Sequence, residues 1–226
     1  SLNHSVGITV SGGNGEIAYS QTGAAAGSSG TVSVNTDTPA SISVPSGSSV
    51  TLNIAPASLQ QRISAVAVDN VNVLRAPQSE YTLILENVTA DKNVEISFEN
   101  VYYSIQFPDT SSGAGADAGF TINAGDVTPV TQHLQGSDVT FTVTAEPGKY
   151  LSAIRVNGTF MDVYNRDASG ITAYCWIDEY EVNYMPADGR TDYRITKITF
   201  TVAGIMQNTV ISVAAEDIYY YVNTSV

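Results

Sequence analysis

The chain contains two copies of one segment, and any fold must accommodate both. Residues 47–70 read GSSVTLNIAPASLQQRISAVAVDN, and residues 136–158 read GSDVTFTVTAEPGKYLSAIRVNG. Each copy opens with a glycine, runs through a strand with apolar residues at every second position, and turns at a proline into a second strand. Alternation with period two is the pattern of a β-strand with one buried face. The repeat therefore predicts two copies of one β unit.

The two copies also end alike. YTLILENVTADKNVEISFEN at 81–100 resembles KITFTVAGIMQNTVISVAAED at 197–217, and the offset between the copies grows from 89 to about 115 positions. The second copy thus carries about 26 additional residues, at about positions 161–194. We expect a first β repeat at 1–100 and a second at 101–226, which contains this insertion and ends in a strand resembling the start of a further repeat.

Composition agrees with an all-β chain. Charged residues make up only 14% of the sequence, against about 25% in an average soluble domain. Val, Ile, Thr and Tyr, which suit a pleated surface, are abundant. Turn residues recur about every 8–12 positions, a spacing typical of sandwiches. We predict an all-β fold of two tandem β-sandwich-like, immunoglobulin-like (Ig-like) repeats.

Both ends of the chain look like parts of repeats. Val6-Gly-Ile-Thr-Val resembles Val94-Glu-Ile-Ser-Phe, and Asp217-Ile-Tyr-Tyr-Tyr-Val resembles Asn100-Val-Tyr-Tyr-Ser-Ile. These matches fit a piece of a longer array, a subunit whose terminal strands pair with neighbours, or a chance likeness between short alternating strands. Under the second interpretation, assembly strands are carried by Val6, Ile8, Val10, Ile218, Tyr219, Tyr220 and Tyr221.

The second copy is similar to a known class of repeats. The residues that carry the likeness are Gly136, Val139, Phe141, Pro147, Gly148, Tyr150, Leu151, Val156, Asn157 and Gly158. Their pattern resembles the divergent internalin-type B-repeats and Ig-like repeats of bacterial cell-surface proteins, over about half the chain. The first copy has Pro56-Ala57-Ser58 in place of Pro-Gly-Tyr, and the tryptophan often found in the second strand is absent. The resemblance implies a spacer or adhesive module and no enzyme.

Net charge and cysteine content exclude some classes of binding partner and indicate a location for the chain. A net charge of −13 disfavours nucleic acid and anionic membrane surfaces. The single cysteine excludes an internal disulfide, as is common in prokaryotic surface proteins. No apolar run is long enough for a membrane span. The chain begins with neither a signal peptide nor Met, so we expect a removed leader or a piece of a longer protein. We predict an extracellular or cell-surface location in a prokaryote.

Residues capable of catalysis are few. His4 lies near a terminus and His133 in a predicted polar loop, and neither belongs to a nucleophile motif. Acidic residues follow Cys175, whereas a reactive cysteine needs an electropositive neighbourhood. The alternatives for this chemistry are a thioester at Cys175, an isopeptide bond through Lys197 and calcium binding at 188–192. We predict no enzymatic activity, no cofactor and no metal site.

The insertion holds the best binding candidate. Residues 174–184 read YCWIDEYEVNY, and an uninterrupted strand would place Tyr174, Trp176, Asp178, Tyr180 and Tyr184 on one face. Aromatic rows with carboxylates can stack on sugars or contact a protein. The alternative is a hairpin that packs these aromatics against its own repeat. Sequons at Asn3, Asn87, Asn157 and Asn223 permit glycosylation.

Together these patterns favour a non-catalytic extracellular structural protein. It would be a surface-array subunit, a pilus-like filament subunit or an adhesin stalk module, assembling by exchange of terminal strands. Its partners would be copies of itself or neighbouring repeats. The alternative is an adhesive module that binds carbohydrate or a host protein through residues 174–184.

Overall fold

The computed structural model describes residues 2–23, 28–107, 119–122, 130–160, 175–187 and 190–219; for 130–131, 175–187 and 190–193 the description is of the backbone. The regular structure in these residues is β-strand, with no helix among them. The prediction of an all-β chain is confirmed for them. The chain divides into two compact units, residues 1–101 and residues 102–226.

The described part of the first unit, residues 2–23 and 28–101, contains nine strands in two sheets. Their bounds are β1 Asn3–Ser11, β2 Gly15–Thr22, β3 Ser29–Val34, β4 Ala40–Pro45, β5 Ser48–Pro56, β6 Gln61–Val68, β7 Val71–Asn72, β8 Tyr81–Val88 and β9 Lys92–Asn100. One sheet has the order β4-β1-β9-β6-β7 and the other β3-β2-β5-β8. The pairs are antiparallel except β1 with β9, the first and last strands of the unit, which run parallel.

The described part of the second unit also contains nine strands. Their bounds are β10 Tyr102–Gln106, β11 Phe120–Ile122, β12 Val130–Leu134, β13 Val139–Ala145, β14 Lys149–Val156, β15 Thr159–Phe160, β16 Cys175–Ala187, β17 Arg190–Val202 and β18 Thr209–Asp217. The sheet orders are β12-β10-β18-β14-β15 and β11-β13-β17-β16. The first and last strands, β10 and β18, are again parallel neighbours.

The two units therefore share one strand order. The five-stranded sheets match strand for strand, and β2-β5-β8 corresponds to β11-β13-β17. Each unit also has a register irregularity at the same place, between Ile63 and Ala65 in β6 and between Leu151 and Ala153 in β14. The second unit differs by β16, which comes from the insertion and pairs along β17.

Alternating side chains from both sheets form the core of each unit. In β5 the apolar residues Val50, Leu52 and Ile54 are at most 1% exposed, as the repeat pattern predicts. In β13 the equivalent Phe141 and Val143 are buried in the second core. The first and second units have separate sets of buried apolar residues, so each holds its own two sheets together.

One expectation about the strands needs correction. The sequence likeness assigns the N-terminal segment to the closing strand of a repeat, but its pairing makes it the opening strand. Val6 pairs in parallel with Lys92 just as Ile105 of β10 pairs with Thr209, so β1 is the counterpart of β10. The Ig-like character of the two units stays a prediction, since the last two strands of an immunoglobulin domain share a sheet. Here β8 and β9 lie in different sheets.

Candidate functional site

His4 lies in an arrangement that resembles a catalytic triad. Its Nε2 is 3.2 Å from Ser46 Oγ, and its Nδ1 is 3.7 Å from Asp91 Oδ1. Ser46 lies 42 positions after His4, and Asp91 lies 86 positions after Ser5, so no local sequence motif indicates this arrangement. A serine, a histidine and a carboxylate in this order are the parts that acyl transfer requires.

The hydrogen bonds around Ser46, His4 and Asp91 indicate that this arrangement has a structural role. The N–H groups of Ser46 and Gly47 already donate to Leu2 O and Val88 O, so neither can serve as an oxyanion donor. Asp91 Oδ1 accepts the N–H of Ser5 at 2.8 Å. In the second unit an asparagine accepts the N–H of Ser104 in the same place, at 2.9 Å. The carboxylate of Asp91 therefore holds the first strand, a role that an amide fills equally well.

The second histidine lies in a strand and not in the predicted polar loop. His133 belongs to β12, opposite Tyr103 of β10. Partial burial lowers the pKa of His133, because desolvation disfavours the charged imidazolium. Its register position corresponds to that of Val44 in the first unit, which is fully buried. This correspondence indicates a packing position.

The predicted aromatic row lies on β16, an edge strand of its sheet within the described residues. Register shifts occur between Ile177 and Glu179 and between Glu181 and Val182. The first shift skips Asp178 of β16 and breaks the alternation of faces along that strand, whereas the second skips Thr196 of β17. The predicted uninterrupted row is therefore wrong at the level of the backbone, and Tyr174 lies outside the described residues.

The register of β16 with β17 shows which face of the sheet each predicted residue occupies. Trp176 is opposite Thr201, whereas Tyr180 is opposite Ile198. Directly opposite residues share a face of the sheet. Thr201 joins Thr140 through a hydroxyl hydrogen bond of 2.7 Å on the face away from the core, whereas Ile198 belongs to the core. Trp176 and Tyr180 thus have positions on opposite faces. Asp178 is the residue left without an opposite partner, and Tyr184 is opposite Tyr193. Whether any of them binds a ligand stays a prediction.

The predicted assembly strands have different surroundings. In β1, Val6 and Ile8 are fully buried and Val10 packs against the same core, with β4 on one side and β9 on the other. Ile218 follows β18 and is half-buried, and Tyr219 is 76% exposed. Tyr220 and Tyr221 lie outside the described residues. The N-terminal strand thus completes its own unit.

The chain leaves both units in the same way. The N–H of Val101, just after β9, donates to Gln60 O at 2.9 Å. The N–H of Ile218, just after β18, donates to Gly148 O at 2.7 Å. Gln60 and Gly148 lie in the turns that connect equivalent strands, β5 to β6 and β13 to β14. After Val101 the chain continues directly into β10.

Three exposed pairs that involve charged side chains lie at or beside strand ends in the described residues. A hydrogen bond from Lys92 Nζ at 2.7 Å, together with the Asn93 N–H, lowers the pKa of Asp69. Asp217 lies 2.6 Å from Lys149 Nζ and raises the pKa of that ammonium group. The Tyr150 hydroxyl donates to Glu216 at 2.6 Å and lowers its pKa. These exposed pairs fix the strand ends and create no strongly reactive group.

The second unit also contains a cavity of about 390 Å³. It lies between the β14–β15 turn and the segment from β17 to β18, and its lining includes Val156, Asn157, Val202, Ile205 and Met206. No charged residue lines it. No sequence pattern predicts this cavity, because it depends on how two distant turns meet.

Three sequons can be located. Asn3 is exposed in β1, and Asn87 and Asn157 are exposed at positive φ in turns or bulges. Asn157 Oδ1 accepts the N–H of Val210 at 2.8 Å, which leaves its Nδ2 outside that bond. Asn223 lies outside the described residues. Whether any is glycosylated stays a prediction.

Metal binding, membrane crossing and similarity to known proteins are three further indications of function. Among the described residues, no group of three or more His, Cys, Asp and Glu side chains is placed to hold a metal ion. The described chain also contains no helix of the length and apolarity that crossing a membrane requires. No protein-family model, curated protein or solved structure matches this sequence. The functional argument therefore rests on the geometry of the chain itself.

Proposed function

We propose that this chain is a non-catalytic structural module of a prokaryotic cell surface, built from sandwich-like repeats in tandem. It would act as an adhesin stalk, a surface-array component or a filament subunit. The resemblance to internalin-type B-repeats supports this class, and so does the low content of charged residues.

The observation that carries the proposal is the repeated exit from each unit. The chain leaves the first unit through Glu99-Asn-Val-Tyr-Tyr and continues after β18 through the similar sequence Glu216-Asp-Ile-Tyr-Tyr. Val101 and Ile218 make the same main-chain hydrogen bond, and Val101 leads straight into the opening strand of a β unit. By this correspondence, the segment from Ile218 through Tyr221 is suited to open a further unit, in the same chain or in a neighbour. Units joined in this way form arrays.

The absence of catalysis is part of the same proposal. The arrangement of Ser46, His4 and Asp91 is the observation that argues most directly against this absence, since these are the residue types of a catalytic triad. Hydrolysis of an activated ester by the purified chain, abolished by Ser46→Ala, would contradict the proposal. We expect wild-type and Ser46→Ala proteins to show the same background rate.

Location and assembly test the structural role. Antibodies against the chain should label the surface of intact cells of its source, and electron microscopy should show arrays, fibres or stalks that carry the label. A variant that ends at Asp217 should fold but assemble less. Labelling confined to the cell interior would contradict the proposal.

A second candidate function is adhesion through β16, favoured by its place at the edge of a sheet. Because Trp176 and Tyr180 have positions on opposite faces, only one of them can contribute to a single flat contact. We expect one of Trp176→Ala and Tyr180→Ala to abolish binding on a glycan array or to a host protein, and the other to preserve it. Wild-type protein without binding in both assays would remove this candidate.

A further inference from the structure

The first unit has a strand with one unpaired edge. β8 ends its sheet, and β5 is its neighbour on the other side. Among the described residues, its main-chain hydrogen bonds go to β5 and to the turn at Gly47. Ile84, in the middle of β8, is 56% exposed. An edge of this kind presents free N–H and C=O groups that can pair with another strand.

The second unit shows what this edge accepts. The counterpart of β8 is β17, and the insertion lays β16 along it in antiparallel pairing. Residues 73–80 connect β7 to β8 at the corresponding point of the first unit and contribute no strand there. The same sheet is thus extended by one strand in the second unit and left unextended in the first.

Other edges of the first unit carry features that discourage pairing. β4 follows Pro39 and ends at Pro45, and proline has no N–H to donate. β7 has two residues, and β3 contains Gly30, which weakens a strand. By contrast β8, Tyr81–Val88, has eight residues without proline, glycine or lysine. Its register irregularity with β5 falls at Glu86 and Asn87, so the regular stretch Tyr81 to Leu85 is the least protected edge of the described first unit.

The sequence of β8 is complementary to itself in one antiparallel register. With Ile84 opposite Ile84 of a second copy, the buried Leu83 faces Leu85, so the inner faces of the two sheets join. Of the two adjacent registers with the same facing, one would place Glu80 opposite Glu86, and like charges directly opposite are unfavourable. The other would place the exposed Ile84 opposite Glu86 instead of a second Ile84. A two-fold axis at Ile84 therefore satisfies both packing and charge.

We propose that a second copy of this chain pairs with it, β8 against β8 in antiparallel register about Ile84. The contact is isologous and closes on itself, so it joins modules laterally in pairs. It rests on the proposed structural function for its purpose and supplies a lateral contact distinct from the terminal segments. β16 occupies the corresponding edge of the second unit, so the pairing is confined to the first.

Sedimentation equilibrium of the full chain tests the contact. Wild-type protein should show a reversible monomer–dimer equilibrium. Ile84→Lys, which sets two lysines opposite each other, should weaken it on the order of 10-fold or more. The matched control is Ala18→Lys, at an exposed position on the interior strand β2, which should leave it unchanged. Unfolding curves of both variants verify that they fold.

Cross-linking tests the register. In a Cys175→Ser background, Ile84→Cys should form a disulfide-linked dimer on oxidation, because residue 84 meets its own copy. Thr82→Cys should not, because residue 82 would face Glu86. A wild-type chain that is monomeric at about 1 mM, or dimers that Ile84→Lys leaves intact, would refute the contact. Surface labelling of cells would be unaffected by either result, so the structural function is judged separately.

Discussion

The opening strand offers a sharp test of where the terminal segments belong. Ile8 is fully buried, opposite Ala40 of β4 and Val94 of β9. Ile8→Ala removes three carbons from a site enclosed on both sides by neighbouring strands. Substitutions of this type cost about 2–5 kcal/mol, because apolar contact is lost and a cavity remains. A domain of this size is stable by about 5–15 kcal/mol, so the first unit would lose a large share of its stability.

Denaturation by urea can measure this loss for one unit. With a slope of about 1–3 kcal/mol per M, the midpoint of the first unit should fall by about 1–2 M. The single tryptophan, Trp176, belongs to the second unit, so fluorescence follows that unit while far-ultraviolet circular dichroism follows both. We expect the dichroism curve to shift and the fluorescence curve to stay in place.

The matched control is the next residue along β1. Thr9 is exposed, so Thr9→Ala should change the free energy of unfolding by no more than about 0.5 kcal/mol. If Ile8→Ala costs no more than Thr9→Ala, then β1 is not packed into its own unit in solution. That result would refute the structural role given to β1 here and would favour its exchange with a neighbour.

Three further predictions concern the turns, the charges and the insertion. Asn157→Ala should destabilise the second unit by about 1–2 kcal/mol in urea unfolding, since Asn157 has φ 50° and accepts the Val210 N–H. Asn157→Asp should be nearly neutral in the same assay, because Asp69 fills this role in the first unit. Because the pKa of Asp69 is lower in the folded chain than its ordinary value of 3.8, its carboxylate stabilises the fold at pH values above 3.8, and this contribution is lost as the pH falls through the folded pKa. Asp69→Asn should therefore make the stability of the first unit less sensitive to acid. Equal acid sensitivity of the two proteins would contradict this. Replacing residues 161–189 by residues 73–80 should free the edge of β17 and increase self-association in sedimentation, whereas an unchanged mass would show that this edge is protected by other means.

The sequence by itself determined the class of structure and the buried faces. Val50, Leu52 and Ile54 alternate with polar residues, and a strand turns successive side chains to opposite faces, so burial of one set followed from local pattern alone. The repeat of this pattern 89 positions later indicated a second unit before any pairing was known. The register shift at Asp178 of β16 does not follow from this pattern, because it depends on the pairing of β16 with β17.

Tertiary structure alone decided which strands meet. The sequence that follows Val6 resembles the sequence that follows Val94. The two strands are nevertheless neighbours and not counterparts, because β1 pairs in parallel with β9. The pairing of strands also brings His4 next to Ser46 and Asp91, and it leaves β8 at the edge of its sheet. Hydrogen bonds between strands join backbone groups that are the same in every residue, so side-chain alternation fixes the face of a strand but leaves its neighbour open. Neighbours are chosen by the packing of the whole unit, and the candidate sites of this protein lie where that choice places them.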